Sequence, residues 1–187
     1  MQRNFKQYFS SCFNNNHIPI MVMTNSTKTK VEEFAKNIII AKASEQHHIM
    51  DNNAEQKRWL TGIGGELALE KYLNTPFFDW SIGNSEKYNV PDLKRIGLNV
   101  GVKTVEYGKF PVVHINPKRP EVIVVRSNNK FYICGLATVE NLKNNSSIDL
   151  IIDKKLRERK VKTGFYGFSE LISFNNIKEL REIAKAS

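Results

Sequence analysis

Residues 91–103 constrain the fold of this chain more than any other stretch. The segment opens with the pair Pro91 and Asp92, crosses a short charged turn, and then becomes largely apolar as far as Lys103. A turn signal followed by β-branched and apolar residues is typical of a loop that enters a buried strand. We therefore predict a strand at residues 98–105, with Asp92 placed just before it.

Lys103 is unusual because it interrupts an apolar strand. Side chains alternate across a strand, so Gly101, Lys103 and Val105 share the face opposite to Val102. Burying an unpaired ammonium is costly. Lys103 is therefore either an edge-strand lysine whose stem packs while its head reaches water, or the partner of a cluster of carboxylates and a metal. The presence of Asp92 eleven positions upstream favours the second explanation.

A second carboxylate is predicted on the buried side of a helix. Apolar residues recur at helical spacing between residues 51 and 73, and both Glu66 and Glu70 fall within the apolar arc. A carboxylate on that side is expensive unless a cation or hydrogen-bond donors satisfy it. Salt bridges to neighbouring basic residues are the preferred explanation for Glu70, whereas a functional role is preferred for Glu66.

The charge of the chain indicates an anionic partner. It carries 28 Lys and Arg against 19 Asp and Glu, a formal net charge of +9, which favours nucleic acid first and an anionic membrane surface second. Phosphodiesters resist hydrolysis because their anionic oxygens repel a nucleophile, and Mg²⁺ held by hard oxygen ligands removes that barrier. Asp92 and Glu66 supply such ligands, and Lys103 could orient the attacking water. These residues predict metal-assisted phosphodiester hydrolysis.

These residues resemble the PD-(D/E)xK nuclease superfamily. The resemblance rests on a Gly-Glu pair at Glu66, a Pro-Asp pair at Asp92 and a Val-Lys-Thr triplet at Lys103, and it covers about residues 55–155. The superfamily fold is shared with type II restriction endonucleases, phage exonucleases and archaeal Holliday-junction resolvases. It implies an α/β (α+β) fold with a mixed central sheet flanked by helices. Its core is a helix, three antiparallel strands, a second helix and a parallel strand.

The resemblance also implies roles for single residues. Asp92 is the metal-binding aspartate, Lys103 the catalytic lysine and Glu66 the acidic residue of the first core helix, and the main-chain carbonyl of Val102 is a further metal contact. The expected cofactor is Mg²⁺, with Mn²⁺ as a substitute. The expected activity is cleavage of DNA in preference to RNA, by an endonuclease in preference to an exonuclease.

One position departs from the family pattern. Gly101 stands where the second strand carboxylate is expected, two residues before the lysine. Either Glu66, or less favourably Glu70 or Glu106, supplies the missing charge, or the protein is a catalytically inactive nucleic-acid-binding protein with the same fold. The active enzyme is preferred because the superfamily can supply a catalytic acid from another element.

A second alignment of the motif is also open. It takes Asp79 as the first aspartate and Asp92-Leu93-Lys94 as the D-x-K element. We rank it lower because Lys94 stands in a charged turn and not within a strand.

Basic residues outside the motif are candidates for contacts with the nucleic-acid backbone. A run at residues 154–162 holds most of them, and a solvated charged loop is the competing explanation for that run. His114 is assigned a surface or structural role in preference to one at the site. The predicted contacts are Lys94, Arg95, Lys118, Arg119, Lys154, Lys155, Arg157, Arg159 and Lys160.

We predict an N-terminal arm at residues 1–27 with one short strand, and a single nuclease-like domain at residues 28–187. Its core spans about residues 52–155, and a C-terminal helix spans residues 176–185. A helix is expected at about 29–48 and a short one at 137–144. The remaining strands are predicted at 77–81, 112–115, 122–126, 131–134 and 148–152, with a hairpin turn at 127–130.

The environment and assembly follow from composition and class. Two widely separated cysteines, Cys12 and Cys134, form neither a disulfide framework nor a metal-ligand pattern, which predicts a reducing cytoplasmic compartment. No apolar stretch approaches the ~20 residues that span a bilayer, so no membrane partner is expected. A homodimer is plausible because cutting two strands needs two sites, with the N-terminal arm and the first helix as its interface.

Overall fold

Two β-sheets stacked between helices form the framework of this computed structural model, which describes residues 4–13, 18–42, 52–82 and 90–187. The helices are α1 (Phe5–Phe13), α2 (Asn25–Lys42), α3 (Asn52–Leu73), α4 (Val139–Asn144), α5 (Lys154–Glu158) and α6 (Ile177–Lys185). The strands are β1 (Ile20–Val22), β2 (Gly101–Glu106), β3 (Val112–His114), β4 (Glu121–Ser127), β5 (Lys130–Ala137), β6 (Ser146–Ser147) and β7 (Lys162–Phe165).

The central sheet is mixed. Its strand order is β1-β5-β4-β2, and β2 runs parallel to β4 while the other pairs are antiparallel. This confirms the predicted α/β class with a mixed sheet flanked by helices. The expectation of three consecutive antiparallel strands is wrong, because β3 leaves the central sheet and joins β7 and β6 in a second, antiparallel sheet. Between β2 and β4 the chain crosses to the second sheet and back. The strands β2 and β4 therefore run in the same direction and pair in parallel.

Strand β4 is buried on both faces, which explains its unbroken apolar run. Val122 and Val124 belong to the hydrophobic cluster beneath α3 and α6, whereas Ile123 and Val125 belong to the cluster shared with the second sheet and α1. All four are fully buried. Neighbours in a parallel register lie on the same face, so the odd-numbered residues of β2 also face the second sheet.

Helix α3 approaches β2 closely at Gly65. A Cβ at this position would lie 1.7 Å from the Thr104 Oγ1 atom, a distance that no side chain tolerates. The absence of a side chain therefore sets the distance between helix and strand. It also brings the next residue of the helix, Glu66, to the strand that carries Lys103.

Several predicted elements are confirmed. Helix α3 ends at Leu73 as expected, and the turn between β4 and β5 is the predicted hairpin. Asn176 caps α6 by accepting a hydrogen bond from the Glu179 N–H. The short strand within the N-terminal arm is also present, since β1 pairs with β5. The predicted C-terminal part of the first long helix, beyond residue 42, lies outside the described residues.

Other predictions are wrong for identifiable reasons. The N-terminal arm contains α1, whose Phe5 and Phe9 are buried in this chain's own core, so these side chains are not available to a dimer interface. Residues 77–81 form no strand, because the Glu70 carboxylate takes the N–H groups of Phe77 and Phe78. The strand predicted at 148–152 is a 3-10 helix. Strand β7 and helix α5 were not predicted.

Among the residues that the structure describes, no helix has the length and apolar character required to cross a membrane.

Candidate functional site

Asp92 is fixed against the open edge of the central sheet. Its Oδ2 atom accepts a hydrogen bond of 2.6 Å from the Val102 N–H on β2, the outermost strand. The N–H and C=O groups of one strand residue point to the same side, so the Val102 carbonyl also faces this edge. Burial raises the pKa of Asp92, although the Val102 hydrogen bond, Arg119 and Lys103 oppose the rise.

Glu121 occupies the neighbourhood of the missing strand carboxylate. It is the register partner of Gly101 across the parallel β2–β4 pair. A Cβ built on Gly101 would lie 3.4 Å from Glu121 Cγ, 3.5 Å from Asp92 Oδ2 and 3.3 Å from Arg119 Nε. Glu121 is only 9% exposed, and its Oε2 atom is buried with no hydrogen-bond partner among the described residues. Its charge also helps to raise the pKa of Asp92.

Glu66 and Asp92 both line a cleft of about 430 Å³. Phe77 and Phe78 form apolar parts of its wall, and Arg95 contributes a basic part. Burial raises the pKa of Glu66 well above its usual range, and the neighbouring carboxylates of Asp92 and Glu70 raise it further. A buried acid beside a second acid behaves in this way when no cation stands between them.

The other two candidates for the missing charge are engaged elsewhere. Glu70 accepts hydrogen bonds from the Phe77 N–H at 2.6 Å and the Phe78 N–H at 3.2 Å, so it anchors the loop after α3. Glu106 accepts from Thr61 Oγ1 at 2.6 Å and lies 3.3 Å from Arg126 Nη1. Both carboxylates therefore have structural roles. Glu70 binds backbone N–H groups instead of forming the salt bridge that was expected from the sequence.

Three further basic groups interact electrostatically with Asp92 or Glu121. Lys103 projects from β2, and the pair His114 and Lys162 comes from neighbouring strands of the second sheet, with 2.5 Å between His114 Nε2 and Lys162 Nζ. Burial lowers the pKa of Lys162 to about 8, and the charge of Lys103 contributes to that shift. Burial also lowers the pKa of His114, followed by the charges of Lys162 and Lys103. His114 is exposed, which agrees with the surface role expected for it, and its ring lies against Lys162.

The predicted nucleic-acid contacts separate into groups. Lys94 and Arg95 lie on a turn at the mouth of the cleft, and Arg119 lies beside Gly101. Lys118 is exposed on the loop before β4. Arg157 instead lines a different cavity with Phe5 and Phe110.

Helix α5 carries the first part of the basic run, and the chain after it leads to β7. Lys154, Lys155, Arg159 and Lys160 are exposed along this segment. Among the described residues that line the cleft of Glu66 and Asp92, none comes from positions 154–160. The structure places Lys162, which follows these residues, at the site.

The second alignment of the motif also brings its residues together, because Asp79, Asp92 and Lys94 line the same cleft. Asp79 lies 3.5 Å from the Arg95 guanidinium, and Lys94 is exposed on a 3-10 turn instead of a strand. The pair Asp92 and Lys103 is the one that shares the edge of β2.

The oxygen atoms at this edge are of the type that hard cations prefer as ligands. Among the described ranges, no group of three or more His, Cys, Asp or Glu side chains is arranged to hold a metal ion. The available oxygens are the carboxylates of Asp92 and Glu121 with the Val102 carbonyl, and Glu66 stands across the cleft. The buried Glu121 oxygen without a partner is compatible with a bound divalent cation, and the Arg119 Nε atom lies 3.3 Å from a Cβ built on Gly101.

Sequence reasoning missed Glu121 and Lys162. Glu121 follows Pro120 and opens an apolar strand, and burial of such a carboxylate is as costly as burial of the ammonium of Lys103. The same argument applied to position 121 would have singled it out. Lys162 gave no comparable signal, because it closes a run of exposed basic residues.

No family model, curated protein or solved structure matches this chain. The residues of the site therefore carry the functional argument on their own.

Proposed function

We propose that this protein is a metal-dependent nuclease that hydrolyses phosphodiester bonds of DNA, as an endonuclease in preference to an exonuclease. The observation that carries the proposal is the position of Glu121. It faces Gly101 across the parallel strand pair, with Asp92 and Lys103 close by. The set of one loop aspartate, one strand carboxylate and one lysine is thus complete, although the carboxylate comes from the neighbouring strand.

The residues divide the work by their chemistry. Asp92, Glu121 and the Val102 carbonyl would hold Mg²⁺ or Mn²⁺, with Glu66 as the acidic residue of the helix. When bound, the metal supplies charge neutralisation at the phosphate and a water of lowered pKa. Lys103 lies on the same strand and orients that water or donates to the phosphate oxygens as negative charge develops. The net charge of +9 favours a polyanionic substrate.

The test is cleavage of supercoiled, linear and branched DNA with Mg²⁺ or Mn²⁺. We expect metal-dependent cutting that Asp92→Asn, Glu121→Gln and Lys103→Met each reduce by at least about 10²-fold, which is typical for loss of one charge-stabilising group. Glu182→Gln is the control, because it removes a carboxylate from an exposed position on α6. Wild-type protein that binds DNA but cuts no substrate would refute the nuclease.

The second candidate is a nucleic-acid-binding protein without catalysis. Gly101 favours it, because the residue that carries a carboxylate in the resembled motif has no side chain here. This protein would bind DNA with a strong dependence on salt and no dependence on divalent metal. Its binding would be unaffected by Glu121→Gln, whereas the nuclease requires Glu121 for activity.

A further inference from the structure

We propose that Lys162 and His114 form a phosphate-binding subsite beside the cleavage site, which holds the substrate backbone at a phosphate next to the one being cut. This inference rests on the proposed nuclease function and extends it to the second sheet. Neither residue belongs to the resembled motif; Lys162 closes the basic run at residues 154–162, and His114 was assigned a surface or structural role. Both are brought to the site by the register of β3 against β7, in which they are direct partners.

The hydrogen bond between Lys162 and His114 leaves ammonium protons free to bind a ligand. The Lys162 ammonium can only donate, so His114 Nε2 accepts at 2.5 Å and the imidazole is neutral. One of the three ammonium protons is used in this bond, and two remain to face a ligand. The direction of the His114 pKa, which burial and the charge of Lys162 lower, agrees with a neutral ring.

The charges nearby indicate an anion. No acidic side chain among the described residues lies within the 4.0 Å salt-bridge distance of the Lys162 or Lys103 ammonium. Like charges brought together without such a partner cost folding free energy. The charge of Glu121 acts on Lys162 and that of Asp92 on Lys103, and in the proposed enzyme the oxygens of both carboxylates hold the metal. An anionic phosphate offers the compensation that the protein itself does not provide.

The position suits a neighbouring phosphate of the same strand. Lys103 belongs to β2 of the central sheet and Lys162 to β7 of the second sheet, so the two ammonium groups reach the site from different layers. A nucleic-acid strand that passes between them would meet Lys103 at the reacting phosphate and Lys162 at the next one. Phosphate contacts of this kind fix the register of a substrate without reading its sequence.

The test is the salt dependence of DNA binding in EDTA, measured by fluorescence anisotropy with a short fluorescent duplex. Lys162→Met keeps the apolar stem and removes the charge. We expect the slope of log K against log salt to become shallower by about 0.9, the value for one lost phosphate contact on a duplex. Lys162→Arg should keep the wild-type slope. Lys130→Met is the matched control, because this exposed lysine of β5 pairs with Ser127 at the far end of β4, roughly 20 Å from Glu121.

His114→Ala separates charge from positioning. A neutral imidazole does not neutralise a phosphate charge. This variant should therefore weaken DNA binding several-fold at every salt concentration and leave the slope of log K against log salt unchanged. Circular dichroism melts establish that each variant is folded.

The outcomes distinguish the two proposals. Equal slopes for wild type, Lys162→Met and Lys130→Met would overturn the subsite, even if the wild type cuts DNA with Mg²⁺. Wild-type protein without measurable DNA binding would also overturn it. A slope that depends on Lys162, in a protein that cuts no DNA with any divalent metal, would support the subsite as a phosphate contact and refute the nuclease.

Discussion

Gly101 and Glu121 are direct neighbours across a parallel pair of strands, and a Cβ on the glycine would approach the Glu121 Cγ to 3.4 Å. The absence of a side chain on one strand thus leaves room for a buried carboxylate on the next. The glycine and the glutamate form one unit, in which the charge expected on β2 is carried by β4.

This relationship predicts that the carboxylate can be moved from position 121 of β4 to position 101 of β2. Glu121→Ala should abolish cleavage, and Gly101→Asp alone should be impaired because its Cβ meets Glu121 and Arg119 at 3.3–3.4 Å. The double variant Gly101→Asp/Glu121→Ala removes the contact with Glu121, leaves the Arg119 side chain to shift, and restores the acid. We expect it to recover at least about 10-fold over Glu121→Ala, since one such group contributes on the order of 10²-fold. Rates on supercoiled DNA measure this, and a double variant no better than Glu121→Ala would contradict it.

Glu66→Gln should stabilise the metal-free protein near neutral pH. Burial and the neighbouring carboxylates raise the pKa of Glu66 in the folded state, so the folded protein keeps a proton that the unfolded chain has lost. Stability therefore falls as pH rises from the unfolded pKa, by about 1.4 kcal/mol for each pH unit in that window. A neutral amide avoids this loss.

Urea unfolding in EDTA between pH 4 and 8 checks the prediction. The wild-type and Glu66→Gln free energies of unfolding should lie closest at pH 4 and diverge as pH rises, with the variant more stable. Divergence in the opposite direction would show that the folded state holds Glu66 as a favourable anion.

Divalent cations should stabilise the protein against heat. A cation that binds only the folded state at ten times its dissociation constant adds about 1.4 kcal/mol, which for a chain of this size raises Tm by roughly 3–6 °C. Asp92→Asn and Glu121→Gln should lose most of this shift, whereas Glu182→Gln should retain it. Differential scanning fluorimetry with Mg²⁺, Mn²⁺ and Ca²⁺ measures it without any substrate. An equal shift in all variants would place the cation elsewhere.

Much of the fold followed from local pattern. The long helix α3 and the β4–β5 hairpin were predictable because periodicity and turn residues are local properties. The failures came where side chains compete with the backbone ladder. Glu70 takes the N–H groups of residues 77 and 78, and Ser147 accepts a hydrogen bond from the Asp149 N–H to start a 3-10 turn.

Helix α1 shows a different failure, because its signal was present. Phe5, Phe9 and Phe13 recur at four-residue intervals, which is helical spacing. The polar and Asn-rich residues around them obscured that pattern. The structure buries Phe5 and Phe9 against Phe168 and Phe110, partners that lie far along the chain.

The residues of the site also divide into those that local sequence predicts and those whose position depends on strand order. Asp92 and Lys103 were predictable because ten residues separate Asp92 from the N–H of Val102 that it binds, within one loop and strand. The cost of burying a carboxylate marks Glu121, but its position beside Gly101 was not predictable, because that position depends on a parallel register set by the excursion of β3 into the second sheet. A carboxylate supplied by a neighbouring strand can be assigned to the site only once strand order is known.

Two glycines of α3 should respond oppositely to alanine. Gly62 has no atom within 4 Å of a built Cβ, whereas a Cβ on Gly65 would lie 1.7 Å from Thr104 Oγ1. Gly62→Ala should stabilise the protein by about 0.5–1 kcal/mol through helix propensity. Gly65→Ala should destabilise it by at least about 2 kcal/mol, because helix and strand must separate. Urea unfolding compares the two, and equal effects would show that α3 does not pack closely on β2.

The Lys162 pKa predicts an alkaline gain in stability. Burial, together with the charge of Lys103, lowers this pKa to about 8 in the folded protein, while the unfolded chain keeps the ordinary value of 10.5. Between these values the unfolded chain binds more protons, so the free energy of unfolding rises with pH. Lys162→Met removes the titrating ammonium. The free energy of unfolding of the wild type should therefore rise relative to that of this variant between pH 8 and 10.5. The side chain is about half exposed, so screening reduces the gain to on the order of 1 kcal/mol.

Lys162→Arg provides the control for this titration, because a guanidinium stays charged throughout the window. Its free energy of unfolding relative to Lys162→Met should remain flat as pH rises, while that of the wild type increases. A flat difference for the wild type as well would mean that the ammonium is not held near Lys103 in the folded protein. The phosphate subsite would then lose its geometric basis, because its two lysines would no longer face one substrate strand.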